Sequence, residues 1–494
     1  MEIIMTTNAL TINNRREMFW DDYLVDKSLT TAFQRLFQPT FKEQCYLFDQ
    51  GEEMYAISYP CIVKDDKGYK MYYTTWKRNG GAYVAVIESA DGLHWTKPQL
   101  NIYDHPELTD NNAVINRVSD GIFVFCDTNP NCPAEEKYKA FCRCNLNPND
   151  WTDKTGGLWC FTSPDGYHFK VSHLMTVCGT FDSLNVAFWD GERYVCYIRN
   201  SHEIPGGVFT DGITDFNRRS EVTLPVLNLG IRDVRVMYSD DFRNWTEPQL
   251  ITFDDGEDYP LYTNLIVPYE RAPHMLVGFP TRYCERKEWT HNLDQMPSAD
   301  IKKKIIEEEE PRSGLTVTDC IFMCSHDGEI WHRYNEAFMT PGYEHANNWV
   351  YGDCYPAYNL VDSGRETYYI YTKDWHISYG QPKPLNCFEI RKDGFACYMA
   401  GGDEHVLTTK PLVFTGKDLH LNFATSAFGY IYVEVLDEEG NPLSGQKSFE
   451  IYGDTIDRKI CFADGSDFSA FAGRPVRLKF TMRDAKLYSL QFTE

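Results

Sequence analysis

A short motif recurs along this chain at intervals that only a repeat fold explains. Ser89-Ala-Asp91-Gly92-Leu-His-Trp95 is followed by Ser163-Pro-Asp165-Gly166-Tyr-His-Phe169, Ser239-Asp-Asp241-Phe242-Arg-Asn-Trp245 and Ser325-His-Asp327-Gly328-Glu-Ile-Trp331. A degenerate fifth copy reads Arg391-Lys-Asp393-Gly394-Phe395. The Asp positions lie 74, 76, 86 and 66 residues apart. Self-similarity at a near-constant period marks one supersecondary unit used repeatedly. Each copy has a local logic. An alternating strand runs into Ser-x-Asp-Gly, where Ser and Asp side chains bond backbone amides and Gly permits positive φ. The ring that follows packs under the turn, so each motif predicts a hairpin between the outer strands of a small sheet.

Two more strands precede each motif. In the first unit they are Ile57–Val63 and Tyr69–Thr74, split by the turn Asp65-Asp-Lys-Gly68, and Tyr83–Glu88 then leads into the motif. The third unit offers Asn185–Trp189, Tyr194–Arg199 and Val234–Tyr238. The fourth offers Leu265–Tyr269, His274–Phe279 and Cys320–Cys324, and the fifth Ala357–Val361 and Thr367–Tyr371. Four strands per unit, repeated five times, predict an all-β, five-bladed β-propeller over residues 1–402. Ser298–Glu310 in the fourth unit reads as an inserted helix ended by Pro311 and Gly314, suited to a lid or a subunit contact in a homo-oligomer. After about residue 403 the pattern changes to a simple alternation, as in Leu419, Leu421 and Phe423 or Ile431, Val433 and Val435. This predicts a C-terminal β-sandwich over residues 403–494.

Composition narrows the partners. The formal net charge is −24. So acidic a chain repels phosphate backbones and anionic lipids, which argues against nucleic acid and membrane partners. Aromatic residues make up 15% of the chain, a load that suits pleated sheets and also stacking on sugars. The first twenty residues show no basic leader with an apolar run, and no stretch reaches ~18 apolar residues. The sixteen cysteines have no CxxC spacing. A cytoplasmic protein with reduced thiols and no metal or other cofactor is therefore expected.

In a propeller the innermost strands begin around a central channel, which makes their openings the natural pocket. Each unit offers a carboxylate near that point. The first has Glu53 beside Glu52, the second Asp120, the third Asp182 in Phe181-Asp-Ser-Leu-Asn185. The fourth opens with Asp258-Tyr-Pro-Leu-Tyr262-Thr-Asn264 and the fifth with Trp349-Val-Tyr-Gly-Asp353-Cys-Tyr355. Glu285 ends a strand of the fourth unit, and Asp22 lies in an N-terminal strand of the kind that closes such rings. Asp182, Asp353, Glu285, Glu53 and Asp22 are the candidate catalytic acids, because glycoside cleavage needs one proton donor and one carboxylate that attacks or activates water. Asn185, Arg199, His202, Asn264, Arg282, Trp375 and His376 are candidate substrate-binding residues. Asp91, Asp165 and Asp327 belong to the repeat and read as structural.

The repeated strand-Ser-x-Asp-Gly-x-x-Trp unit with an appended sandwich resembles the five-bladed glycosidases, among them the fructosidases of glycoside hydrolase family 32 and the arabinosidases and xylosidases of family 43. Phe19-Trp-Asp-Asp-Tyr-Leu, Asp127-Thr-Asn-Pro, Phe181-Asp-Ser-Leu-Asn-Val-Ala-Phe-Trp and Asp484-Ala-Lys-Leu-Tyr-Ser-Leu are similar to bacterial proteins labelled glycosyl hydrolase family 32 N-terminal domain-like. The Trp-x-Asn-Asp-Pro, Arg-Asp-Pro and Glu-Cys signatures of family 32 are absent, so no catalytic residue transfers by motif. The resemblance implies the fold and a glycosidase acting on small glycosides, fructosyl or arabinosyl furanosides among them. A glycoside phosphorylase and a non-catalytic sugar-binding propeller are the alternatives.

Overall fold

A computed structural model of the chain describes residues 9–54, 57–76, 82–103, 111–118, 121–144, 157–203, 230–286, 288–308, 311–373 and 382–494. The chain forms two compact units. One comprises residues 39–268 and 275–389, the other residues 1–38, 269–274 and 390–494.

The first unit holds the five-bladed propeller, apart from residues 269–274 of blade 4 and 390–391 of blade 5, which fall in the second. Blade 1 orders Ile57–Asp65, Gly68–Trp76, Ala82–Ser89 and Ala113–Val118. Blade 2 orders Phe123–Cys126, Tyr138–Cys144, Gly157–Ser163 and Lys170–Thr176. Blade 3 orders Val186–Trp189, Tyr194–Glu203, Gly230–Ser239 and Gln249–Leu250. Blade 4 orders Val267–Tyr269, Ala272–Gly278, Met323–Ser325 and Ile330–Arg333, with Thr252–Phe253 added along the outer edge. The expected single strand Cys320–Cys324 is split, because the paired strands Thr281–Glu285 and Thr316–Cys320 form a separate ribbon. In blade 5, Val361–Asp362, Thr367–Lys373 and Lys383–Arg391 are completed by Thr40–Phe48, which supplies the outermost strand from the opposite end of the sequence. The expected inner strand Ala357–Val361 is largely interrupted. Tyr358 instead bridges to Cys61 of blade 1, with its N–H on the Pro60 carbonyl at 2.8 Å. Fifth and first blades are thus joined at the axis as well as at the rim.

The motifs are the turns the sequence predicts. Ser89 Oγ accepts the Gly92 N–H at 2.9 Å, and Asp91 Oδ1 accepts the N–H groups of Leu93 and His94, both at 2.9 Å. Ser163 with Asp165 and Ser325 with Asp327 repeat this arrangement. The Asp91 carboxyl is held below the ordinary carboxylate range, first by the backbone N–H of His94.

Each turn is also the point where the preceding blade attaches. Tyr72 in the second strand of blade 1 donates its hydroxyl to the Gly166 carbonyl at 2.9 Å, and its ring meets Phe169 edge-on at 6.1 Å. Tyr197 of blade 3 donates to Gly328 at 2.9 Å and meets Trp331 edge-on. Tyr371 of blade 5 donates to Gly92 and meets Trp95 edge-on, which carries the same joint across the ring closure. A Cβ on Gly166 or Gly328 would stand 2.6 Å from the tyrosine oxygen, and both have φ near +78 and +79°. Glycine is required there twice over, by conformation and by space. Where Phe242 replaces the glycine, Phe141 replaces the tyrosine and the two rings pack at 6.1 Å.

The fifth copy does not form this turn. Asp393, at φ 62°, is fully buried in the second unit. It accepts from Tyr269, Arg271, Ser489 and Asn422 at 2.6, 2.9, 2.7 and 3.0 Å, and Trp20 donates to its carbonyl. Arg391 stands where the other copies have serine, so the Ser-Asp pair that shapes the turn is missing.

In the second unit an eight-stranded sheet is built on two long strands, Asp418–Leu436 and Arg477–Thr493. Leu10–Asn13 pairs in parallel with Leu412–Phe414. Leu419, Leu421, Phe423, Ile431, Val433 and Val435 all enter one core with Phe480 and Phe492, as their alternation predicts. The inserted helix of the first unit spans Ala299–Glu308 and buries Ala299, Lys302 and Ile305. Pro311 does not end the helical stretch; it opens a second short helix, Pro311–Leu315, because proline is well tolerated in a first turn.

Tyr72→Phe and Tyr197→Phe should each destabilise the protein by about 1 kcal/mol, since a buried carbonyl loses its donor. Gly166→Ala and Gly328→Ala should cost more than the tyrosine changes. Chemical denaturation midpoints measure both, and unchanged midpoints for the tyrosine variants would refute the joint.

Candidate functional site

The openings of the inner strands carry unusual backbone. Tyr59, Phe181, Leu265 and Cys354, which sit there in blades 1, 3, 4 and 5, have φ of 50, 56, 47 and 55°. Left-handed conformations at bulky residues cost of order 1–3 kcal/mol each and collect at functional sites. In blade 2 the equivalent place is taken by Gly121, where a Cβ would fall 2.2 Å from the Tyr59 ring.

These openings bring tyrosines together. Tyr59 stacks on Tyr355 with centroids 6.3 Å apart, Tyr355 on Tyr262 at 5.4 Å, and Tyr262 on Tyr283 at 5.8 Å, all within 19° of parallel. Tyr351 meets Tyr262 and Tyr283 edge-on, and its hydroxyl donates to that of Tyr262 at 3.0 Å. Burial, first of all, keeps the Tyr351 and Tyr355 phenols well above their ordinary pKa. They remain neutral hydroxyls. Tyr262 and Tyr351 are half-buried, whereas the Tyr283 and Tyr355 rings are enclosed. Two guanidiniums approach the Tyr262 ring, Arg199 at 5.7 Å and Arg232 at 5.6 Å from its centroid.

Asp182 is linked to this platform through Arg199. Its carboxylate is ion-paired with Arg199, and its side chain is 39% exposed. Asn185 fixes the segment: Nδ2 donates to the carbonyls of Phe181 and Ser183 at 3.2 and 2.9 Å, while Oδ1 accepts the Arg199 N–H at 2.9 Å. Asn185 therefore positions both members of the ion pair. Asp353 lies between Tyr351 and Tyr355 in the chain and is buried. Its Oδ2 accepts the Val350 N–H at 3.0 Å, and its carbonyl accepts from Thr318 at 2.7 Å. The inserted helix reaches this side of the site. Burial pushes the Lys302 ammonium down to about 8, an effect opposed by the charge of Asp353, and Nζ contacts the Gly314 carbonyl at 3.4 Å.

His202 belongs to a neighbouring cleft between blades 3 and 4. Its two ring nitrogens lie 2.9 Å from Asp233 and 2.9 Å from Asp258. The bond to Asp233, then that to Asp258, raises its pKa to about 9, so it is an imidazolium at neutral pH. Arg235 also pairs with Asp233 at 3.2 Å. The cleft has a volume of about 230 Å³ and is lined by His202, Arg232, Asp233, Phe253, Asp258 and Tyr259, among others. Arg232 therefore faces both the cleft and the tyrosines.

Other expected residues are engaged elsewhere. Glu53 is buried and accepts from Tyr73 at 2.6 Å and Lys97 at 3.1 Å. Arg282 is bidentate to Asp319 at 2.8 and 2.6 Å and donates to the Asn335 carbonyl. Strand alternation sends it to the face opposite Tyr283. Asn264 is buried and its Oδ1 accepts the Ile266 N–H at 3.2 Å. Asp22 lies in the second unit, where it accepts from Tyr398 and pairs with Lys27 at 2.7 Å; the ring is closed by Thr40–Phe48. Glu285 ends its strand opposite Thr316. Its side chain, like Asp120, Trp375 and His376, lies outside the described residues. A search for acids at the strand openings passes over the tyrosines and Arg232, although Tyr259-Pro-Leu-Tyr262 and Tyr351-Gly-Asp-Cys-Tyr355 display the clustering openly, and it passes over Asp233 because that residue lies inside the strand Gly230–Ser239. Among the described residues no group of three or more His, Cys, Asp and Glu is arranged to hold a metal, and no helix is long and apolar enough to cross a membrane.

No family model matches the chain, and no curated protein matches it. Among solved structures it is similar to a protein described as a glycoside hydrolase, at 10% identity and a TM-score of 0.44 over 72% of this chain and 92% of that one. A GH130 protein, from a family of mannoside phosphorylases containing hydrolases that target β-1,2 mannosidic linkages in Candida mannan, is similar at 11% identity and a TM-score of 0.38, over 78% of this chain and 96% of that one. The Bombyx mori GH32 beta-fructofuranosidase is similar at 9% identity and a TM-score of 0.38 over 95% of both chains.

The His202 bridge has a defined pH dependence. Its folded pKa is raised above the ordinary 6.5, so its stabilisation is full below about 6.5 and is lost as pH rises through about 9. Thermal midpoints of the wild type should fall across that window more than those of His202→Asn. Parallel profiles would contradict the bridge.

Proposed function

We propose that this protein is a glycosidase that cleaves small glycosides on the tyrosine platform, with Asp182 and Asp353 as its working carboxyl groups. One observation carries the reading: a partly exposed carboxylate, whose segment Asn185 holds, is paired with Arg199, and Arg199 in turn approaches a stack of aromatic rings at the openings of the inner strands. Flat rings suit the apolar face of a sugar, and neutral phenols with a guanidinium suit its hydroxyls. Asp182, held as an anion by Arg199, is the group that attacks the anomeric carbon or activates water against it. Asp353 donates the proton to the departing oxygen, so the glycosidic C–O bond breaks as the aglycone leaves as an alcohol. The resemblance of the repeat unit supports furanosides, fructosyl or arabinosyl, as the first substrates to try. No cofactor is needed for this chemistry.

A panel of chromogenic furanosides and pyranosides, with and without phosphate, tests the activity. Asp182→Asn and Asp353→Asn should each lower turnover by roughly 10²–10⁴-fold, the usual worth of a positioned acid or base, with circular dichroism showing the fold retained; Asp182→Asn should also lower the thermal midpoint, because the buried Arg199 loses its carboxylate. Full turnover in either variant removes that residue from the mechanism. Sugar binding without turnover of any substrate would favour a non-catalytic propeller.

A further inference from the structure

Arg232 differs from the other arginines around blades 3 and 4. Arg199 is paired with Asp182, Arg235 with Asp233, Arg282 with Asp319 and Arg333 with Asp255. Among the described residues Arg232 has no carboxylate and no hydrogen-bond acceptor for its side chain. Its contacts are ring faces: the guanidinium carbon lies 4.2 Å from the Tyr283 centroid and 5.6 Å from that of Tyr262, and Nε is buried with nothing to donate to. A cation taken partly out of water and left without an acceptor is costly. Ring contacts at these distances leave the edge of the guanidinium, a planar fork of N–H donors that matches carboxylate or phosphate oxygens, without an acceptor among the described residues. That edge belongs to a residue lining the 230 Å³ cleft.

The acids nearby do not meet this need. Asp233 is taken by His202 and Arg235, and Asp258 by His202. The lining carries the protonated His202 beside Arg232, together with Glu257 and the paired carboxylates Asp233 and Asp258. Arg232 and Arg199 lie at nearly equal distances from the Tyr262 ring, and Arg199 holds Asp182. An anion bound by Arg232 would therefore sit one aromatic ring from the proposed catalytic carboxylate.

We infer that Arg232 is an oxyanion-binding residue of the site, taking either the carboxylate of an acidic sugar or a free phosphate. This deepens the glycosidase reading and rests on it for the meaning of the anion, but not for its detection. The test is calorimetric titration of the full chain with inorganic phosphate, with galacturonate and with galactose, in wild type, Arg232→Gln and Arg232→Lys.

At least one of the two anions should bind wild type saturably. Arg232→Gln should weaken that binding tenfold or more, the loss expected when a hydrogen bond to a charged group is removed. Arg232→Lys, which keeps the charge but loses the fork, should weaken it less and covers the case in which the glutamine variant does not fold. Phosphate binding would identify a phosphate co-substrate, and galacturonate binding without phosphate an acidic sugar. Binding of neither anion to wild type, or unchanged affinity in both variants, would overturn the inference. Turnover is not read, so the glycosidase reading can fail while the anion site stands.

Discussion

One hydrogen bond recurs at three of the five junctions between blades of the propeller. A tyrosine hydroxyl from the second strand of one blade meets the carbonyl of the glycine in the next blade's turn, and the ring meets the aromatic residue that ends the motif. The Ser-Asp pair shapes the turn, the glycine opens the space, and the tyrosine fills it. Blades 1 and 2, 3 and 4, and 5 and 1 use this joint; blades 2 and 3 replace it with Phe141 against Phe242. A repeat that buries its faces only against neighbours depends on such contacts at every step. At the closure, Thr40–Phe48 completes blade 5, and Tyr358 pairs with blade 1, so the ends of the ring cannot drift apart without breaking sheet bonds.

That closed ring brings distant segments to one place. Tyr59, Tyr262 and Tyr355 lie far apart in sequence and stack within 6.3 Å of one another in turn. Left-handed backbone at the strand openings is the local cost of turning chains sharply there. Asp182 and Arg199 then add charge to an otherwise neutral aromatic floor, and Asn185 ties their segments together. The rigidity of the site comes from the blades, while its chemistry comes from short segments at the strand openings.

The repeat was legible because its turn needs particular side chains at fixed offsets. The Ser, Asp and Gly positions each answer a backbone demand, so the turns of the first four blades follow from sequence, whereas the fifth copy falls in the second unit. The partner of the joint was not legible in the same way: Tyr72, Tyr197 and Tyr371 look like ordinary core residues of alternating strands. The fifth motif kept its Asp-Gly but lost its serine, and Asp393 turned into a buried partner for Tyr269 and Arg271. Glu53 illustrates the limit of counting acids. Its place before an inner strand suggested the channel, yet Tyr73 and Lys97 use its carboxylate inside the blade. Asp182 and Arg199 could be proposed from strand position, but their pairing, and the lack of a carboxylate on Arg232 among the described residues, depend on where side chains point in three dimensions.

The most direct measurement is a crystal structure of Asp182→Asn grown with an unreacted glycoside. The account predicts a sugar ring against Tyr262, with the residue at position 182 beside the anomeric carbon and the leaving oxygen within reach of Asp353. A glycoside bound away from the tyrosine platform, with its scissile bond remote from both residues, would contradict it.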